Sequence, residues 1–131
     1  LESSAKQYGV YIQVAEDTYK VCKEKFIWRD LDYVVVMGKT DPAQVFELIA
    51  EAGNMPDGYD KILDTYHDAL GLYKKQEWGK AIEAFKASDK LEDMFPGRKT
   101  NPSRIYIPRC EFYMENSPGD DWDGSWTLTS K

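Results

Sequence analysis

Histidine is all but missing from this chain: His67 stands alone among 131 residues. A His-built metal centre or a Ser-His-Asp relay therefore has little to draw on, since both need imidazole at a set spacing from its partners. Cysteine is nearly as scarce. Cys22 and Cys110 lie far apart, in no metal or redox spacing, and read as reduced structural thiols of the kind a cytosolic protein keeps. Basic charge is also short, with Lys+Arg 17 against Asp+Glu 23 and a net charge of −6. A general nucleic-acid surface needs a basic face that displaces counterions from phosphates, which argues against that class; a single nucleotide needs only local donors. No apolar run approaches the roughly 20 residues that span a bilayer, and the first residues do not read as a signal peptide. A cytoplasmic location without membrane contact from this stretch is the expectation, with an anchor upstream left open.

What is present suffices for a packed core: 42% hydrophobic and 14% aromatic residues, in a chain long enough for one modest domain or part of one with an appendage. Gly9 breaks the first segment. Val10 to Val14 is β-branched and aromatic and predicts a short buried strand. Glu16, Asp17 and Thr18 are helix-start signals for a short helix to about Lys25. Phe26 to Met37 predicts a longer strand whose apolar half, Tyr33 to Val36, is expected to be covered on both faces. Gly38 permits a turn, and Pro42 precedes a partner strand from Gln44 to Glu51.

The breaker cluster from Gly53 to Gly58 marks a boundary. Beyond it the period changes from two to three and four. Tyr59, Ile62, Leu63, Tyr66, Ala69, Leu70 and Tyr73 predict an amphipathic helix to Gln76. A second helix follows from Trp78 to Leu91 through Ala81, Ile82, Phe85 and Ser88. Pro102 opens a third, to about Asn116, in which Pro108 either delays the start or kinks the first turn. The tail from Ser117 to Lys131 has no period, but tryptophans rarely sit in free solvent, so it is expected to fold back onto the helices. The fold class is α+β.

The most distinctive stretch is Asp30-Leu31-Asp32-Tyr33-Val34-Val35-Val36-Met37-Gly38-Lys39-Thr40-Asp41-Pro42-Ala43-Gln44-Val45-Phe46-Glu47-Leu48. It resembles the closing hairpin of the class III adenylate/guanylate cyclase catalytic domain: a strand, Lys-Gly-Lys-Thr, x-Pro-Val, an aromatic residue and Glu-Leu. Leu1-Glu2 are similar to the end of that family's Val-Asn-x-Ala-x-Arg-Leu-Glu motif. The resemblance implies a partial cyclase (ferredoxin-like) sheet of about three strands, with the end of a helix over Leu1 to Lys6, followed by a helical hairpin and a further helix. Residues 1–52 would form the C-terminal portion of the catalytic domain and residues 57–131 a helical extension.

By the same resemblance the parent would make cyclic AMP or cyclic GMP from ATP or GTP on two Mg²⁺ or Mn²⁺ ions, as a homodimer. The family's metal-holding Asp residues and its transition-state Asn and Arg lie upstream of the Leu-Glu. This stretch alone is thus expected to be inactive and to bind no ion. One ligand position of the family falls here, the first Lys of Lys-Gly-Lys, which reaches the triphosphate. Met37 occupies it, and a thioether cannot neutralise phosphate charge. Lys39 keeps the second Lys and is the phosphate candidate; the alternative is a solvated turn residue. Arg29 is a weaker basic alternative, read as a surface ion-pair partner of Asp30 or Asp32.

Ala69, Leu72, Trp78, Ala81, Phe85 and Ser88 resemble, without a gap, the small and aromatic positions of one tetratricopeptide repeat. A binding groove needs about three or more such repeats, so the hairpin is expected to cap the sheet or line a dimer contact, with peptide recognition the lesser reading. Arg104 to Cys110 and the ending from Trp122 to Lys131 look like the C-termini of bacterial multidomain adenylate cyclases.

The remaining charged groups have plain readings. Asp120, Asp121 and Asp123 suit a hard cation chemically but lack calcium-loop spacing and read as a solvated acidic tail. Glu16 and Asp17, like Glu92 and Asp93, read as cap and surface charges, and His67, beside Asp64 and Asp68, as a surface or packing residue. A second function class stands beside the cyclase: an interaction or regulatory module, with a degenerate cyclase-like domain, whose helices and Trp-rich tail bind a partner protein. Unpaired strand edges predict oligomers through strand addition or swapping.

Overall fold

In the computed structural model, residues 8–10, 12–36, 38–93 and 98–128 are described. Met37 and the helix expected over Leu1 to Lys6 lie outside them. The first elements given in full among the described residues are β1 (Gln13–Ala15) and α1 (Glu16–Cys22), followed by the two long strands β2 (Phe26–Val35) and β3 (Ala43–Glu51). The expected first strand begins later than its β-branched run, because Val10 goes into the core with Tyr8, Leu31 and Val34. Glu16 and Asp17 occupy the first turn of α1 and Lys20 its last, the order that complements the helix dipole. Tyr19 lays this helix on the sheet, stacked on Phe46 with ring centroids 3.8 Å apart.

β2 and β3 pair antiparallel, and β1 joins the far side of β3, also antiparallel. The tail contributes a fourth strand, β4 (Trp126–Thr127), which runs parallel to β2 and gives the order β1-β3-β2-β4. The sheet thus has four strands among the described residues, not about three. Tail folding onto the body was legible from its tryptophans; its entry into the sheet was not, since two residues carry no period.

The ladder between β2 and β3 is interrupted at Ile27/Trp28 and again at Asp30/Asp32. The second interruption bulges Leu31 and re-aims the strand. Along the apolar run Val34 is buried but Val36 is exposed. Coverage of both faces, expected for Tyr33 to Val36, therefore fails at its end, just before the turn.

Three helices follow: α2 (Tyr59–Lys74), α3 (Trp78–Glu92) and α4 (Ser103–Glu115). The three-and-four spacing lies on the buried side of α2, where Tyr59, Ile62, Leu63, Tyr66, Ala69, Leu70 and Tyr73 all face inward. Ala81 of α3 is fully buried beside Phe85, so a small residue lets the helices close while the ring fills the gap. Pro108 sits inside α4, which begins at Ser103. The ring has no N–H to give the carbonyl one turn back, and its exposure to solvent keeps that cost low. Tyr59, Ile62 and Leu63 join Ile27, Ile49 and Leu91, seating α2 and α3 on the sheet. No helix among the described residues is long and apolar enough to cross a membrane.

Candidate functional site

The turn between β2 and β3 holds the phosphate candidate. Gly38 adopts φ +82°, a left-handed conformation that a side chain would resist, and the Lys39 amide donates to the Val36 carbonyl at 3.1 Å. The Lys39 side chain is exposed and makes no hydrogen bond or ion pair with the described residues, so its ammonium faces solvent. Met37 lies outside the described residues. No group of three or more His, Cys, Asp or Glu side chains is placed to hold a metal ion among the described residues. Asp123 instead accepts from the Ser125 amide and hydroxyl at 2.9 and 2.6 Å, bonds that hold its carboxyl below the usual range.

Behind the hairpin the structure corrects the reading of Arg29. It is not a surface partner of Asp30 or Asp32: its side chain is fully buried. Nε donates to Glu47 at 2.9 Å, while Nη1 and Nη2 donate to the two oxygens of Glu92 at 2.9 and 2.8 Å. Glu92, expected as a surface charge, is buried with it. Arg98 adds donors to Glu47 at 3.1 Å and Glu92 at 3.4 Å, so two guanidinium and two carboxylate groups balance. The Arg29 guanidinium also lies 5.0 Å from the Tyr66 ring centre. Burial works to lower its pKa, but the hydrogen bond to Glu92 and the charges of Glu47 and Glu92 overcome that and raise it. Its signal in the sequence was its place on the inward phase of a strand; a period-two count shows a phase but not a distant carboxylate.

A second buried pair sits beyond the bulge. Arg109 of α4 grips Asp32 with both arms, at 2.8 and 2.7 Å. Tyr8 donates to the same carboxylate, as does Tyr106 at 3.2 Å. Tyr66 and Tyr106 both donate to the Leu31 carbonyl, at 3.2 and 2.9 Å, and the Asp30 amide donates to His67 Nε2 at 3.1 Å. His67 is therefore a packing residue. These side chains cap the part of the β2 edge that β4 does not reach, so the open edge expected there is covered by helices.

The third feature is a cleft of about 590 Å³ between α4 and the tail, with Phe112, Tyr113, Trp122 and Trp126 among its walls. Arg109 forms part of its floor, its guanidinium 4.7 Å from the Trp126 ring centre. The sequence pointed to the tail as an aromatic element; it did not locate a cavity.

No family model matches the chain, and no solved structure matches it. The chain is similar to a curated protein of Dictyostelium discoideum, "Adenylate cyclase, terminal-differentiation specific". The two are 28% identical over 113 residues, covering 83% of this chain. The chain spans only 5% of the length of that relative. This distant likeness suggests a relationship to adenylate cyclases.

Proposed function

We propose that this chain is the C-terminal part of a class III nucleotidyl cyclase of the bacterial multidomain kind. Its parent converts ATP, or GTP, into the cyclic 3′,5′-nucleotide and pyrophosphate for intracellular signalling. The observation that carries the reading is the likeness to an adenylate cyclase over 113 residues. The hairpin adds physical support, because the turn at Gly38 presents an exposed Lys39 two residues from Met37, the position at which the family reaches the triphosphate.

On this reading residues 1–52 close the catalytic domain and residues 57–131 form a tetratricopeptide-like extension. Lys39 supplies charge to the phosphates in place of Met37. By the family resemblance Mg²⁺ or Mn²⁺ belongs to the upstream half, as do the residues that select the purine. The parent works as a homodimer in the cytoplasm, anchored upstream if at all.

The test is the full-length gene product assayed with Mn²⁺ and ATP or GTP. Cyclic nucleotide should form, and Lys39→Ala should raise KM for the nucleotide more than it lowers kcat. An upstream coding sequence without the paired Asp and the Asn/Arg motif overturns the reading. A parent that carries those motifs yet makes no cyclic nucleotide selects the second reading, a degenerate regulatory domain, which Met37 favours.

A further inference from the structure

Gln76 holds a backbone conformation that glycine would hold at less cost. Just past α2 it has φ +63°, the one positive φ outside glycine among the described residues. The helix end requires it. The Gln76 amide donates to the Tyr73 carbonyl and the Glu77 amide to the Leu72 carbonyl, both at 3.0 Å, the bond pair of a Schellman end whose left-handed position is usually glycine. What glycine would lack is the side chain. Its Nε2 donates to the Gly119 carbonyl at 2.8 Å, 43 positions away at the start of the tail. From there the tail crosses the helices, and the Trp122 ring centre lies 5.3 Å from Tyr73 of α2, 5.6 Å from Trp78 of α3 and 5.2 Å from Tyr113 of α4. Trp126 and Thr127 then pair with Val34 and Val35, and the Leu128 amide donates to the Val35 carbonyl at 2.9 Å. The next carbonyl along, that of Val36, accepts the Lys39 amide of the hairpin turn at 3.1 Å.

We propose that residues 117–128 are a strap through which the turn between α2 and α3 controls the hairpin turn at Gly38. Hydrogen bonds hold its two ends, at Gly119 and at β4, and the Trp122 ring holds its middle. Gln76 is the positioning residue: glycine there would relax the backbone but lose the tie, and a strained position kept by its surroundings marks a clamp. β4 is only two residues long, and short ladders at a sheet edge open at the low-stability end of a fold, well below global unfolding. Closed, the strap pins Val35 and with it the last residues of β2 before the turn. Open, it frees them. Any bearing on nucleotide binding rests on the role proposed above for Lys39; the strap itself does not.

The test compares the intact chain with its Gln76→Gly, Gln76→Asn and Gln76→Glu variants by amide hydrogen exchange and amide chemical shifts. It uses no nucleotide, so its failure is distinct from failure of the cyclase assay. Gly and Asn suit the left-handed backbone, but one has no side-chain amide and the other is a methylene too short. Glu keeps the length and has no N–H to give. Each variant should speed exchange of the Leu128 amide about five-fold, roughly what one neutral hydrogen bond is worth. Each should also shift the Gly38 and Lys39 amides, while the Phe85 amide in the core exchanges as before. Gln76→Gly should do this without lowering the thermal midpoint, whereas a residue that merely ended a helix would gain protection throughout from glycine. Unchanged Leu128 exchange in Gln76→Gly overturns the proposal, and so does acceleration shared equally by Phe85. Faster exchange at Leu128 with no shift at Gly38 and Lys39 overturns it too, by separating the strap from the turn.

Discussion

Arg29 and Glu92 are 63 positions apart in the chain and meet through both arms of the guanidinium, at 2.9 and 2.8 Å, with neither side chain exposed. This pair ties the middle of β2 to the end of α3, so the hairpin and the helices are held by buried charge as well as by apolar packing. Burying such ions costs desolvation that their attraction roughly repays, whereas removing one partner strands the other. Glu92→Ala should therefore lower unfolding free energy by about 3–5 kcal/mol. The exposed pair of Lys86 and Glu83 is the control: Lys86→Ala should stay within about 0.5 kcal/mol. Urea midpoints at constant m-value measure both, and equal small losses at the two sites would refute the difference.

The bulge at Leu31 leaves its carbonyl to two tyrosines from different helices, Tyr66 and Tyr106. Tyr66→Phe should cost about 0.5–1.5 kcal/mol. Tyr106→Phe should cost more, because its hydroxyl also reaches Asp32 and a buried carboxylate loses a donor. The double variant should cost more than the two losses added, since either hydroxyl alone still satisfies the carbonyl and only the loss of both strands it. A double-mutant cycle by chemical denaturation reads the coupling directly; strict additivity would mean that the two bonds are independent.

Local periodicity carried most of the fold. The continuous apolar run before Gly38 and the three-and-four spacing from Tyr59 to Phe85 each mark an element, a strand and a helical pair, and both lie where those patterns put them, although the strand is not covered on both faces at Val36. What periodicity cannot show is which distant group meets a charge. Arg29 and Asp30 are neighbours in sequence, yet strand geometry sends successive side chains to opposite faces, so the adjacent carboxylate was the wrong partner for Arg29. Glu47, the Glu of the hairpin motif, likewise turned inward to meet Arg29 and Arg98. Arg109 lies three positions after Tyr106, on the same stripe of α4, and only the bulge at Leu31 brings Asp32 to it. The cleft depends on where an aperiodic tail returns, which is set by tertiary packing of Trp122 and Trp126.

His67 links stability to pH. Burial lowers its pKa below the ordinary value, the charges of Asp30 and Asp64 opposing and that of Arg29 assisting. The unfolded chain takes up a proton as pH falls through about 6.5, while the folded ring, accepting from the Asp30 amide, resists it. This contribution is thus fully present above that pH and is lost as pH drops below it, until the folded ring itself charges. His67→Gln keeps an acceptor but removes the titration. Between about pH 7 and pH 5 the wild type should lose more of its urea midpoint than the variant does; parallel losses would exclude His67 as the source.

Gly9 and Gly38 share a left-handed backbone, with φ +70° and +82°, but not their surroundings. A Cβ on Gly38 meets nothing within 4 Å, whereas one on Gly9 would run into the main-chain carbonyl of Thr100. Arg98 Nη1 donates to the Gly9 carbonyl at 3.0 Å, so the two segments approach closely on both sides of that glycine. Gly38→Ala should then cost only the conformational penalty, about 1–2 kcal/mol. Gly9→Ala adds steric crowding against a backbone that cannot swing aside, for a total of about 2–5 kcal/mol. Denaturation midpoints of the two variants provide the comparison. If Gly9→Ala proved as mild as Gly38→Ala, the close approach of residue 9 to Thr100 would not be a constraint on the fold.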